Sequence, residues 1–340
     1  MASEMLSAPT PPGVIAVRPR RQSTAAWPLV DRVGYWLCWA TGIALCLIAV
    51  AIVLFMLIKG IAYLTPSLFV HSPAPSLQQS QSGGFLDPII GTLILTALGT
   101  VIAAPTGIAL ATWLSEYGRP PLLARAVESG IEMIAGIPSV VLAIFGLLVF
   151  SQTALGFLSQ NAASGAVYGR SFFAAGAMMA ILALPLIVGA TREALSQVPD
   201  RMREASYALG KTKASTIRHV LFPAIRPGMA SGIALGMSRI IGDTAIVTIL
   251  LGVTLTNEGV GNVPIIGTLR GTGSTLTSYV YNNSPAGEGN SHEKAYAAAF
   301  VLLMLVLALN ALVTRLTGAG AGERSGRFRP IRLRRPSWTR

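Results

Sequence analysis

EASYALGKTKASTIRHVLFP, residues 204–223, contains Gly210-Lys211-Thr212, the ending of a phosphate-cradling P-loop. A P-loop needs another glycine five residues before Gly210, where its backbone closes around the phosphates, and it follows a buried strand. Ala205 holds that position, and Met202, Ala205, Ser206 and Leu209 recur at helical spacing. The stretch therefore reads as a helix, a glycine, a second short helix and a proline. Pro199 suits the first turn, Gly210 the first helix's end, and Ala214, Ile217, Val220 and Leu221 share one face of the second helix. An apolar stripe beside Arg201, Arg203, Lys211 and Lys213 suits insertion into a groove on another protein. A helix lying on a membrane surface has the same pattern.

The chain around this loop is strongly apolar. Of its 340 residues 52% are hydrophobic and 12% charged, and the mean hydropathy is +0.60, greasier than a soluble domain of this length. Apolar intervals run 33–58, 88–115, 133–169, 171–191, 228–252 (with two charges) and 295–314. A helix needs about 20 apolar residues to cross the hydrocarbon core. The pattern predicts an all-α integral membrane protein with six transmembrane helices.

Lys and Arg are retained on the cytoplasmic side of short loops. With both termini inside, 21 of the 26 basic residues fall on that side; Lys59, Arg170, Arg270 and Lys294 fall outside and Arg239 within a helix. The net charge of +12 is concentrated in these loops and in the tail RSGRFRPIRLRRPSWTR, which points to membrane lipids with anionic headgroups and not to nucleic acid. Residues 1–30 read as a disordered cytoplasmic arm, 31–318 as the membrane domain with its loop at 192–227, and 319–340 as a basic cytoplasmic tail. Cys38 and Cys46 share the first helix and read as packing residues, and His71, His219 and His292 are isolated, so no metal spacing emerges.

Glu204-Ala205-Ser206, Gly210 four residues after Ser206, and Val220-Leu221-Phe222-Pro223 resemble the EAA loop of ABC-importer permeases: Glu-Ala-Ala, three residues, Gly, nine residues, Ile-x-Leu-Pro. Ser206, Val220 and Phe222 are conservative departures from it. Around the loop, GTLILTALGTVIAAPTGIALATWLSEY, AGIPSVVLAIFGLLVF, LPLIVGATREALSQVPDRMREASYALG and SRIIGDTA resemble the phosphate-importer permeases of the PstA type, across roughly residues 91–313. The resemblance implies a type I importer permease fold in a bacterial plasma membrane and import of inorganic phosphate. It implies a second permease subunit of the PstC type, two ATP-binding subunits, and an extracytoplasmic phosphate-binding protein docked on the long outer loops, 60–84 and 253–294. This chain would then carry no chemistry and no cofactor of its own, ATP and Mg²⁺ being held by the partner ATPase subunits. Glu204, Ala205, Ser206, Gly210 and Pro223 become the coupling element, with Glu204 either paired across the interface or a plain surface carboxylate, and Gly210 either a functional bend or an ordinary cap. The loop is shared across substrates, so a permease for another small anion or nutrient stands beside this reading. An ATP-independent secondary transporter is the rival from another class.

Arg239 and Asp243 stand four residues apart in GMASGIALGMSRIIGDTAIVTILLG and share one face of a continuous helix. A lone Arg at the bilayer centre costs about 2.5–3.5 kcal/mol on insertion scales, so it faces a polar cavity or a partner charge. Two roles fit. Under the resemblance Arg239 meets a phosphate oxyanion while Asp243 holds it or gates the path, with Ser238 and Thr244 on one wall; otherwise the pair only neutralises itself or joins a second subunit. The family has Glu where Asp243 stands. Gly136 and Pro138, inside the third span, predict a kink that is either a hinge for alternating access or a fixed bend. The small-residue runs 91–107 and 228–236 permit close helix approach, within the chain or between subunits.

Overall fold

The computed structural model describes residues 29–73, 83–159, 169–252, 268–284 and 292–316. The N-terminal arm, the basic tail and large parts of the two long loops lie outside the described residues. Contacts divide the chain into two units, 1–55 and 56–340.

The first unit is the body of α1 (Leu29–Gly60). Nearly every side chain on it is exposed, including Leu45, Leu47 and Ile52, as suits a helix whose solvent is lipid. Tyr35 meets Trp36 and Trp39 with ring centroids 6.0 and 6.5 Å apart, the amphipathic aromatics that favour a membrane interface. Cys38 and Cys46 lie exposed on this helix.

Among its described residues the second unit is built of helices joined by short turns and loops, with no strand. Its elements are α2 (Leu86–Thr112, ending in a π turn, Trp113–Tyr117), α3 (Pro121–Gly136), α4 (Ser139–Phe150), α5 (Phe172–Ser196), α6 (Asp200–Ala208), α7 (Lys213–Thr216), α8 (Phe222–Gly242), α9 (Ala245–Leu250), α10 (Leu276–Asn283) and α11 (His292–Leu316). Five helical stretches, 29–63, 86–117, 172–196, 213–242 and 293–315, are long and apolar enough to cross a membrane. Counting the bent pair α3–α4 as one span makes six, the expected number.

Glycines set how closely the central helices pack. α5 lies between α2 and α8, and a Cβ added at Gly228 would sit 2.2 Å from that of Ala194; at Gly236, 2.8 Å from Ile187 Cγ1. On the other side Gly107 faces Ile187, and Gly99 faces Ile240 of α8. Both small-residue runs are thus used inside the chain. Contacts this close supply the dispersion energy that must hold helices together where burial from water contributes little. The core they build contains Leu95, Ala103, Phe172, Met179, Ile187 and Ile246. Gly228→Val is expected to destabilise the fold by about 1–3 kcal/mol through overpacking, read as a lower unfolding temperature in detergent.

A smaller core gathers Leu68, Phe85, Leu276, Tyr279, Ala297 and Ala298. Gly60 admits the backbone of Ala297 here, and the Tyr63 hydroxyl donates to Glu293 Oε2 at 2.6 Å. Burial pushes the Tyr279 phenol up to about 12, so it packs as a neutral group beside Phe85.

Candidate functional site

The loop of residues 197–221 folds as two helices on a fixed base. Gly210 has φ +76°, and the N–H groups of Gly210 and Lys211 donate to the carbonyls of Tyr207 and Ser206. This satisfies the freed carbonyls of α6 in a Schellman cap, which a residue in the left-handed region must make and glycine makes at least cost. Thr212 then caps α7, its Oγ1 accepting the Ser215 N–H at 3.3 Å. The Lys-Thr pair that mimics a P-loop is therefore a helix start. Pro223 does not end the second helix: α7 runs through a π turn, Ile217–Leu221, into α8, and Pro223 stands directly after that turn in a helix that continues past it. The loop and the fifth span form one helical stretch, 213–242.

Which faces point outward also differs from the expected stripe. Ile217 and Leu221 are buried with Leu195, Val198 and Ile225, forming the base. Ser206 is buried and hydrogen-bonds Thr216 at 2.9 Å. Met202, Tyr207 and Leu209 are exposed, Leu209 by 80%, and Glu204, Ala205, Gly210 and Pro223 are exposed as well.

Two of the four cations expected on the docking face hold the loop instead. Arg203 Nε donates to Glu116 Oε1 at 3.2 Å, Nη1 to the Val198 carbonyl at 2.8 Å and to Asp200, and Nη2 to the Leu195 carbonyl at 3.0 Å. Lys213 Nζ donates to the Glu116 carbonyl and lies 4.8 Å from the Tyr117 ring centroid. Arg192 Nη1 joins Glu128 of α3 at 2.6 Å. Sequence reasoning passed over Glu116 because it treated the residue only as the charge that bounds a span. A carboxylate at a span's end, opposite a loop rich in arginine, was the available signal.

The expected continuous fifth helix is broken. α8 stops at Gly242, Asp243 is extended (φ −83°, ψ 122°), and α9 begins at Ala245. Asp243 is buried, and its Oδ1 accepts the Ile246 N–H at 2.9 Å, relieving a free donor at the start of α9. On the other side of the break Thr277 of α10 donates its hydroxyl to the Ile241 carbonyl at 2.9 Å. Both ends are thus paired within protein, as non-helical backbone at membrane depth requires. Arg239 lies in the last turn of α8, where the helix dipole favours a cation. Its Nη2 is 3.9 Å from Asp243 Oδ2, and 47% of its side chain is exposed against 4% for Asp243. The guanidinium is loosely held and open.

Ser238 and Thr244 do not join it in one wall. Ser238 donates to the Ala234 carbonyl and pairs with Asn310 of α11 at 2.9 Å, tying two spans together. Thr244 is half-buried, and its carbonyl accepts the Thr248 hydroxyl. Nothing around Ser238 in the chain marks Asn310, a single amide in the last apolar span, as its partner.

Between α3 and α4 the chain bends by 108°. Ile137 is extended (ψ 128°) and Pro138 caps α4, because a residue before proline is driven out of the α region. The bend is sharper than a kink. Gly136 is exposed, and a side chain there would meet nothing within 4 Å, so Pro138 and not Gly136 makes the turn.

Packed apolar helices around a satisfied break, with a short helix displayed at one end, define a multi-pass helical membrane protein. The family described as "Binding-protein-dependent transport system inner membrane component" matches residues 103–319, and the chain belongs to this family. It is 31% identical over 242 residues to "Phosphate transport system permease protein PstA 1" of Mycobacterium tuberculosis (strain CDC 1551 / Oshkosh), covering 71% of this chain and 73% of that protein. It is also 31% identical over 289 residues to "Phosphate transport system permease protein PstA" of Haemophilus influenzae (strain ATCC 51907 / DSM 11121 / KW20 / Rd), covering 83% and 87%. Among solved structures, a bacterial alginate ABC transporter in complex with an alginate pentasaccharide-bound periplasmic protein contains a chain that superposes with a TM-score of 0.58 at 17% identity, covering 84% of this chain and 94% of that one. The fold is that of a type I ABC importer permease.

Proposed function

We propose that this chain is a membrane-spanning permease subunit of an ATP-driven importer that carries inorganic phosphate into the cell. The observation that carries the reading is the loop: α6 exposes Met202, Tyr207 and Leu209 while Ser206, Ile217 and Leu221 fix it from beneath. A short helix with a rigid base and a bare apolar tip suits a groove on an ATP-binding subunit. Glu204, Ala205, Ser206 and Gly210 form the coupling element, with Pro223 in the helix that leads from it to the fifth span. ATP and Mg²⁺ are bound, and ATP hydrolysed, in two partner subunits. A second permease of the PstC type and an extracytoplasmic phosphate-binding protein complete the assembly, both termini of this chain facing the cytoplasm of a bacterium.

Phosphate is the substrate favoured by the relatives' names and by an exposed guanidinium beside a helix break. Arg239 meets the anion, Asp243 sets the break from which it is presented, and Thr244 lies beside it. Ser238 is assigned to packing. The α3–α4 bend made by Pro138, next to Gly136 at the end of α3, is a candidate hinge for alternating access, with α3 tied to α5 by Glu128 and Arg192.

Leu209→Glu tests the docking surface. Placing a charge at an apolar anchor is expected to weaken capture of the ATP-binding subunit about 30-fold, measured by co-purification from cells expressing the whole complex; unchanged capture would remove the coupling assignment. Uptake of radiolabelled phosphate, sulfate and molybdate by vesicles carrying the whole complex separates phosphate from other anions. Transport that persists without the ATP-binding subunits would establish an ATP-independent carrier instead.

A further inference from the structure

We infer that Glu116 and Arg203 are positioning residues that lock the displayed helix α6 to the foot of α2, so that a displacement of α6 is delivered to α2 directly. The inference rests on the reading of α6 as the coupling helix.

Chain connectivity alone joins the loop to α5 on one side and α8 on the other. α2 lies far away in sequence, yet one of its residues is held by both arms of the loop. The Glu116 carboxylate takes Arg203 Nε from α6, and the Glu116 carbonyl takes Lys213 Nζ from α7. Arg203 immediately precedes Glu204-Ala205-Ser206. Four of its five N–H groups are used, on Glu116, Asp200 and the carbonyls of Leu195 and Val198, so it joins the end of α5, the start of α6 and the foot of α2 at one planar group.

The clamp is sheltered. The Glu116 and Arg203 side chains are 7% and 19% exposed, whereas Asp200 is 88% exposed. Salt and water screen a sheltered pair much less than a surface one, and losing one partner strands the other. α2 ends in a π turn that carries Glu116 and Tyr117, a distortion often found where a helix has a task beyond packing.

From this foot α2 reaches the helix break. Gly99 packs on Ile240, the neighbour of Arg239, and Thr92 Oγ1 accepts the Leu276 N–H of α10 at 2.9 Å. Glu116 and Gly99 are separated by about 25 Å of helix at 1.5 Å per residue. α2, clamped at the loop and packed against the break, with Pro105 between the two points, is a lever that joins them.

The test uses the complete complex in vesicles and reads phosphate moved per ATP hydrolysed. Glu116→Gln is expected to lower that ratio about fivefold, while Asp200→Asn, which touches the same arginine from solvent, leaves it within about twofold of the wild type. Loss of assembly or of general stability would reduce transport and hydrolysis together and leave the ratio unmoved, so the ratio isolates positioning. Should Glu116→Gln fail to assemble, Glu116→Asp decides, since it keeps the charge and withdraws it by one carbon; a reduced ratio supports the clamp. A wild-type ratio in the variant that assembles would overturn it. Capture of the ATP-binding subunit is scored in the same preparations with Leu209→Glu. If capture ignores Leu209, the coupling assignment of α6 fails, independently of what the Glu116 ratio shows.

Discussion

Arg239→Gln is expected to lower radiolabelled phosphate uptake about 100-fold while the complex still assembles and hydrolyses ATP. The magnitude follows from two charge-assisted hydrogen bonds of a guanidinium fork to an oxyanion, at about 1.5 kcal/mol each. Assembly should survive because Arg239 contributes little to the fold: its contact with Asp243 is 3.9 Å and nearly half its side chain is exposed. Gln keeps the length and part of the hydrogen bonding without the charge. Uptake at the wild-type level would make the charge structural, and loss of assembly with intact folding would place Arg239 at a subunit interface.

Asp243→Ala is expected to cost about 2–3 kcal/mol of stability, because it leaves the Ile246 N–H without an acceptor in a buried position. Ile246 is fully buried, so water does not replace the lost partner. Asp243→Asn retains an oxygen at the capping position and should remain within about 1 kcal/mol of the wild type, which separates the cap from the charge. Thermal unfolding in detergent measures both. Equal losses in the two variants would show that the carboxylate's charge, and not its cap, holds the break.

The loop shows where sequence reasoning reached and where it stopped. Gly210 was legible as a helix end because glycine is the residue that most readily takes the left-handed conformation of a helix cap, and its φ of +76° is that conformation. Leu221 was not legible as buried. Its helical spacing shows that it shares a face with Ile217, but a period says nothing about which neighbour that face meets; Leu195 and Val198 arrive from α5. Arg203 read as one more loop cation for the same reason, since its partner Glu116 is remote in the chain.

The fifth span marks the same boundary. Apolar length predicted a crossing there despite Arg239 and Asp243, because about 20 mostly apolar residues are enough to span the hydrocarbon core. The break at Asp243 escaped notice because an aspartate four residues after an arginine is as consistent with a helix face as with a cap. Thr277, from a segment far along the chain, had to reach the Ile241 carbonyl before the interruption was affordable.

By itself the sequence determined the membrane class, the apolar intervals long enough to cross, the small-residue runs and the helix-glycine-helix form of the loop. Each is a local or periodic property written in neighbouring residues. The tertiary structure alone decided which face of the loop is bare, that Arg203 serves the base and not the tip, and where the fifth helix ends. Those depend on pairs such as Arg203 with Glu116 and Ile241 with Thr277, whose members meet only after the helices have packed.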